Sequence, residues 1–322
     1  MKRTRICPLL GIDYPILQGG MLWLATAELA AAVSNAGGLG VISPYAGMEQ
    51  SGDPTENLRD QIIKARALTE CPFGVNIPLD LESSGLLIDV ALRQKVRIVV
   101  TAAGSPDTYT AVLHDAGITV LHVVSTVAQA RFSESSGVDC VIAEGYEAAG
   151  RVGVDEVPLF SLVPQIADAV GIPIIAAGGI ADARGVVAAF ALGAEGVQLG
   201  TRFIAAEENM AHPRYKEAIV QARDTDTVVT SRVVRPRRNL KTAFTEQLMT
   251  LDKTGAAAQE IVDVLGYRSA RQSQLEGDLA AGEASCGASA GLINDIVPAA
   301  TIIKRLIEGY EEVVKELTRE DK

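Results

Sequence analysis

"IPIIAAGGIADARGVVAAFALGAEGVQLGT", residues 172–201, contains one complete strand–helix–strand unit and decides the fold. The first apolar run, "IPIIAAGG" (172–179), closes in two glycines, and "EGVQLGT" (195–201) closes in Gly and Thr. Between them "ARGVVAAFALGA" has helical spacing and a glycine near its end, a helix-termination signal. Neither run alternates apolar with polar residues. Near-continuous apolar strands are what a parallel sheet covered on both faces requires.

Working outward, six more such runs precede this unit: "PILQ" (15–18), "LGVIS" (39–43), "FGVNI" (73–77), "RIVVT" (97–101), "TVLHVV" (119–124) and "DCVIAE" (139–144). Segments with helical spacing, such as "TAELAAAVSNAGG" and "PDTYTAVLHDAG", lie between them. Eight β–α units in roughly 200 residues predict an α/β fold of the (β/α)8 TIM-barrel type. An open doubly wound sheet would carry a phosphate loop after its first strand. Here that strand ends "QGGM" and does not lead into GxGxxG; the glycine-rich ends belong to strands seven and eight.

After Arg223 the pattern changes. "TDTVVTSRVVRPRRNLKTAF" is basic and broken, helical polar sequence follows to about Gly287, and "AGLINDIVPAATIIKRLIEGYEEVVKELTRE" reads as one or two amphipathic helices interrupted near Pro298. The expected organisation is a barrel over 1–223, a helical lid excursion over 224–289 and a C-terminal helix over 290–322 that returns to the barrel. The alternative for the excursion is a solvated helical tail with no role at the site.

Composition excludes several function classes. A net charge of −11 argues against nucleic acid or an anionic membrane surface as partner. Cys7, Cys71, Cys140 and Cys286 are widely spaced and form no CxxC pair, which fits neither a disulfide framework nor a zinc site. "MKRTRICPLLGIDYP" lacks the apolar run of a signal peptide, and no stretch approaches twenty apolar residues. The expectation is a cytoplasmic protein acting on a small molecule, without a metal, and with homodimer formation left open.

In such barrels the site lies at the C-terminal strand ends. "AAGGI" (176–180) and "QLGT" (198–201) place glycines there, where backbone N–H groups can approach a phosphate. Such a site does not distinguish a flavin from a phosphorylated sugar, and the glycines could also make tight turns only. Asn76 is a polar residue at an apolar strand end, so its amide needs either a ligand or backbone partners. Of the three histidines, His114 lies in a helical run and His212 shapes the loop after strand eight. His122 sits near the end of strand five and is the acid–base candidate if it points into the mouth; otherwise it is a core residue.

"PILQGGM" (15–21), "AVSNAGGLGVIS" (32–43), "PFGVNI" (72–77), "EGYEAAGRVG" (144–153), "IPIIAAGGIAD", "GVQLGTRF" and "AHPRYKEAI" resemble, in order and over almost the whole chain, the nitronate monooxygenase (2-nitropropane dioxygenase) family, which includes the FMN-dependent enoyl-ACP reductases II. The resemblance implies a TIM barrel holding FMN non-covalently beneath a C-terminal lid. It places Gly20 and Met21 along the flavin ring and has Asn76 hydrogen-bond the flavin or its ribityl chain. Glu144 and Ala149 fall where the family also contacts the cofactor, and Gly178, Gly179, Gln198, Gly200 and Thr201 would hold the phosphate.

The chain departs from the family in one segment. Where the pattern reads E-A-G-G-H, this sequence has Ala149 for the first glycine and Arg151 for the usual catalytic histidine. Arginine stays protonated and cannot act as a base at neutral pH, but it can bind an anion. Arg151 is therefore the candidate for orienting an anionic substrate; the alternative is a loop residue paired to Glu147 or Asp155. "RPRRNL" (235–240) either recognises a phosphate on a pantetheine, CoA or nicotinamide ligand or forms a solvated basic patch. The resemblance implies oxidation of an alkyl nitronate with O2. Its alternatives are NAD(P)H-dependent reduction of an enoyl thioester on an acyl carrier or CoA, and a non-catalytic flavin-binding barrel.

Overall fold

The structure is a computed structural model and describes residues 1–49, 51–266 and 269–319. Eight parallel strands form the central sheet: β1 (Ile16–Gln18), β2 (Gly40–Ile42), β3 (Phe73–Pro78), β4 (Ile98–Ala102), β5 (Thr119–Val124), β6 (Cys140–Glu144), then β8 (Ile174–Ala177) and β9 (Gly196–Leu199). A short β7 (Gly150–Arg151) lies outside it, as do β10 (Thr227–Thr230) and β11 (Arg237–Leu240). All eight apolar runs of the sequence are barrel strands. Their order, β1-β9-β8-β6-β5-β4-β3-β2, leaves one seam between β1 and β2. A parallel bridge from Leu17 to Leu39 closes it. The Gln18 side chain then extends the pairing: its Nε2 donates to Val41 O (3.2 Å) and its Oε1 accepts from Val41 N (3.1 Å).

The two faces of each strand have different partners. Leu17, Val41, Val100, Leu121, Ile142 and Ile175 fill the barrel interior, and Ile6 and Leu10 from the N-terminal helix Ile6–Leu10 join the same cluster. The opposite faces meet the helices. Val75, Ile77, Val99 and Val120 pack on Leu58, Ile62, Leu87 and Leu113; Val141, Ala143, Ala176 and Val197 pack on Leu162, Ile166, Val186 and Ile302. Helix Ala299–Leu317 starts directly after Pro298 and packs on helices Ala183–Ala191 and Ala27–Asn35, so it completes the outer ring beside β1 and β9.

Residues 224–289 open with the stretch read as basic and broken, and helices follow it. They begin with an antiparallel hairpin, β10–β11, whose second strand also pairs with β7, Arg237 opposite Arg151 and Arg238 opposite Gly150. Three helices follow, Ala243–Thr254, Ala258–Leu265 and Ser269–Glu276. The first is set by reciprocal capping between Thr242 and Thr245 and ended by Gly255 in the left-handed region. Phe244, Leu248, Ile261 and Leu265 give the first two helices a small core of their own. Leu240, Ala284, Cys286 and Ile293 pack with Trp23, Leu24 and Tyr215 of the barrel portion.

Candidate active site

Alternation along the strands decides which side chains reach the mouth. Ile142 and Leu121 are interior, so Glu144 and Val123, two residues further on, point into the barrel at its C-terminal end. Asn76 and Gln198 stand on the inward face of their strands by the same count, because Val75, Ile77, Val197 and Leu199 all face helices. The glycines after β1 make room for them. A Cβ on Gly20 would lie 2.6 Å from the Asn76 side chain, and one on Gly19 would lie 3.2 Å from that of Gln198. Glycine at these positions is thus a packing requirement of the two amides.

None of the three polar side chains is satisfied among the described residues. Asn76 and Glu144 make no side-chain hydrogen bond among the described residues, and the buried Oε1 of Gln198 has no partner. A buried amide oxygen without a donor costs about 1–3 kcal/mol unless a ligand supplies one. Glu144 is enclosed by protein with only part of its surface accessible, and burial pushes its carboxyl up to about 7. It is therefore largely neutral just below neutral pH and can donate as well as accept.

The neighbouring strand ends form a second half of the site. Gly178 and Gly179 follow β8 with φ of 98° and 72°, a conformation only glycine adopts freely. A Cβ on Gly178 would come 3.0 Å from the backbone N of Ala148, so this turn also packs on the loop after β6. The N–H groups of Gly178, Gly179 and Gly200 donate to nothing among the described residues. A Cβ on Gly200 would face open space. Thr201 accepts from Gly287 N at 3.0 Å and keeps its hydroxyl proton for another acceptor. Unsatisfied N–H groups on two adjacent strand ends are the donor set an anionic phosphate needs. These residues fit a flavin mononucleotide: an amide-lined mouth for its ring and free backbone donors for its phosphate. Gly20 is exposed at the mouth, with Met21 and Ala149 half-buried beside it.

The loop after β6 is pinned from several sides. Both carboxylate oxygens of Glu147 accept from Leu159 N (3.1 and 2.9 Å) at the start of helix Leu159–Ala167, and Glu147 O accepts from Ala288 N (2.9 Å). Glu147 is thus occupied, and Arg151 pairs with neither it nor Asp155. Arg151 Nη1 instead donates to Asp80 at 2.9 Å, and Arg235 Nη1 donates to the same carboxylate oxygen at 2.9 Å. Asp80 follows β3, so the pair spans the ends of β4 and β5 and borders the mouth. The arginines of residues 235–238 are not a solvated patch: Arg235 holds Asp80, Arg237 holds the buried Glu283 (2.7 Å), and Arg238 donates to Tyr146 O (3.0 and 3.2 Å).

His122 does not reach the mouth. It shares the helix-facing side of β5 with Val120 and Val124, is only 4% exposed, and lies 2.7 Å from Thr101 Oγ1 through its Nδ1. Burial pushes its pKa down to about 4, so it is neutral at neutral pH and packed against the outer layer. The acid–base candidacy of His122 is corrected on that ground. His114 pairs with Asp139, and His212 caps helix Pro213–Val220 through Arg214 N. Among the described residues none of the three histidine rings hydrogen-bonds to a residue of the mouth. Two contributors escaped the sequence reading, Gln18 and Asp80. Gln18 lay inside a quoted motif, and its position beside the barrel seam was the available signal. Asp80 sits in "PLDLESS", where an acid reads as a solvated loop residue.

The sequence profile described as Nitronate monooxygenase matches residues 3–85 and 84–309. The chain belongs to this family. A Mycobacterium tuberculosis protein named (3aS,4S,5R,7aS)-5-hydroxy-7a-methyl-1-oxo-octahydro-1H-indene-4-carboxyl-CoA dehydrogenase is 37% identical over 277 residues, 85% of this chain and 75% of that protein. A probable nitronate monooxygenase of Staphylococcus saprophyticus is 36% identical over 295 residues, 77% of this chain and 81% of the relative. Among solved structures, FabK from Thermotoga maritima superposes with a TM-score of 0.90 and 44% identity, covering 98% of this chain and 99% of its own. A nitroalkane oxidase from Streptomyces ansochromogenes superposes with a TM-score of 0.82 and 26% identity, covering 97% and 99%. This nitronate monooxygenase family member is an oxidoreductase of a flavoenzyme family, built on the TIM barrel. Among its described residues no helix is long and apolar enough to cross a membrane, and no group of three His, Cys, Asp or Glu could hold a metal ion.

Proposed function

We propose that the chain binds FMN in the barrel mouth and oxidises an alkyl nitronate, with O2 as the final acceptor. The observation that carries this reading is a mouth bordered by guanidinium groups, with no histidine ring hydrogen-bonded to a mouth residue among the described residues. A nitronate arrives already as an anion, so no side chain has to remove its proton. Arg151 and Arg235 share one carboxylate, Asp80, and this leaves the rim with excess positive charge to orient that anion. Gly178, Gly179, Gly200 and Thr201 would hold the FMN phosphate, with Asn76, Glu144 and Gln198 at the polar edge of the ring and Gly20, Met21 and Ala149 along it. FMN, when bound, supplies the two-electron acceptor. In this arrangement Glu144 in its neutral form donates a hydrogen bond without placing a second negative charge beside an electron-rich ring.

A second reading, NAD(P)H-dependent reduction of an enoyl thioester, is favoured by one observation. Reduction of an alkene needs a proton at one carbon, and Glu144, with a pKa of about 7, carries one near neutral pH. Anaerobic mixing of the flavin-loaded protein with a nitronate, NADH, NADPH and a crotonyl thioester separates the two. Bleaching of the flavin by nitronate, reversed by O2, is the expected result. Bleaching by NADPH alone, reversed by the thioester, would replace the first reading with the second.

A further inference from the structure

Asp80 stands between arginines from two other parts of the chain. Arg151 of β7 and Arg235, which precedes β11, both donate through Nη1 to its Oδ2, each at 2.9 Å. Arg237 lies opposite Arg151 in the β7–β11 ladder and has its own carboxylate, Glu283, at 2.7 Å. Among the described residues Asp80 therefore balances Arg151 and Arg235 alone. Burial, and after it repulsion from Arg237, lower the pKa of Arg151 from its ordinary value, with Asp80 pulling the other way. The bridge runs from the loop after β3, on the barrel, to the excursion.

The pairing is poor for so strong a set of donors. A guanidinium presents five N–H groups, and among the described residues Arg151 and Arg235 each commit one side-chain donor. Both meet the same oxygen, so neither forms the two parallel bonds that make an arginine–carboxylate pair strong. Both arginine side chains are close to half exposed, and water competes for them. Two guanidinium groups converging on one carboxylate oxygen are also the arrangement that receives an external anion with two oxygens. We infer that Asp80 is a resident competitor: its carboxylate occupies the anion position of the rim, and an anionic substrate binds by displacing it from Arg151 and Arg235. This rests on the reading of that rim as the anchor of a nitronate, and it adds specificity. A neutral ligand brings no charge with which to replace Asp80, so the exchange selects anions. It also unties the loop after β3 from β7 and β11.

The test is calorimetric titration of the flavin-loaded protein with propionate, a planar two-oxygen anion of nitronate size, and with propionamide, its neutral isostere. Asp80→Asn keeps the shape of the side chain and removes its charge. It should bind propionate about fivefold more tightly than wild type, the scale of two half-exposed ion pairs that no longer have to be broken. Propionamide binding and flavin content should not change. Equal or weaker propionate binding in Asp80→Asn would overturn the inference, and weaker binding would make Asp80 a positioning residue for the two arginines. Equal tightening toward propionamide would overturn it as well, because space and not charge would then be the cause. Arg151→Ala separates this role from the reading beneath it. If that variant binds propionate as wild type does, the rim is not the anion site and both fall. If it binds more weakly while Asp80→Asn is unchanged, only the competitor role falls.

Discussion

Replacing Glu144 with glutamine should make the flavin-free protein more stable at alkaline pH and leave it nearly unchanged in acid. The carboxyl has an ordinary value of 4.5 and is pushed up to about 7 in the fold by burial alone. Below pH 4.5 it is protonated in both folded and unfolded chains and contributes no pH dependence. Between the two values the unfolded chain releases its proton while the folded chain retains it, so stability falls as pH rises; above about 7 the loss is complete. At about 1.4 kcal/mol per unit the full loss is about 3 kcal/mol. Glutamine has nearly the same shape and never ionises, so it removes that loss. The Glu144→Gln chain should gain about 3 kcal/mol relative to wild type between pH 4.5 and pH 8.5, or about 5 °C in Tm for a chain of this length. Thermal melts followed by circular dichroism at both pH values measure it. Each variant is compared with wild type at the same pH, so any pH-independent effect of the amide cancels. A difference that does not change with pH, or a variant less stable at pH 8.5 than at 4.5 relative to wild type, would show that Glu144 is ionised and compensated in the fold.

Two further substitutions test the two halves of the mouth. Gly179→Asp places a side chain on a backbone at φ 72° and adds a negative charge beside free N–H groups, so FMN binding should be lost; equilibrium dialysis showing wild-type affinity would move the phosphate elsewhere. Arg151→Ala should raise KM for a nitronate roughly ten- to a hundredfold with kcat nearly unchanged, the loss of about 1.5–3 kcal/mol from a charge-assisted hydrogen bond, while the half-exposed pair with Asp80 contributes under about 1 kcal/mol to stability. Unchanged kinetics with only a lower Tm would make Arg151 structural.

The barrel was legible because a parallel strand buried on both faces writes itself as an unbroken apolar run. The same property hid the facing of each residue. In "TVLHVV" the neighbours Leu121 and Val123 point inward and Val120 and Val124 outward, yet all four are aliphatic, so nothing in the run fixes the phase of His122. Asn76 was legible as a polar interruption at a strand end, whereas Gln198 entered only through the family resemblance, as a phosphate residue. The glycines that accommodate them were visible as "QGG", without their packing reason. Least legible was the segment over 224–289. Its hairpin is short and arginine-rich, and it gains stability from β7, 86 positions upstream at the Arg237–Arg151 pair, a contact that local sequence cannot announce. A longer stretch, 155 positions, separates Arg235 from Asp80, whose pairing turns an ordinary loop acid into part of the rim.

The central claim is that this mouth holds FMN, and identifying the flavin released from the purified protein tests it most directly. The account predicts a yellow protein that, on heat denaturation, releases FMN at one per chain, because the free N–H groups of Gly178, Gly179 and Gly200 would form a single phosphate site and the sequence carries no dinucleotide fingerprint. Release of FAD, or a colourless protein that fails to take up added FMN, would contradict it.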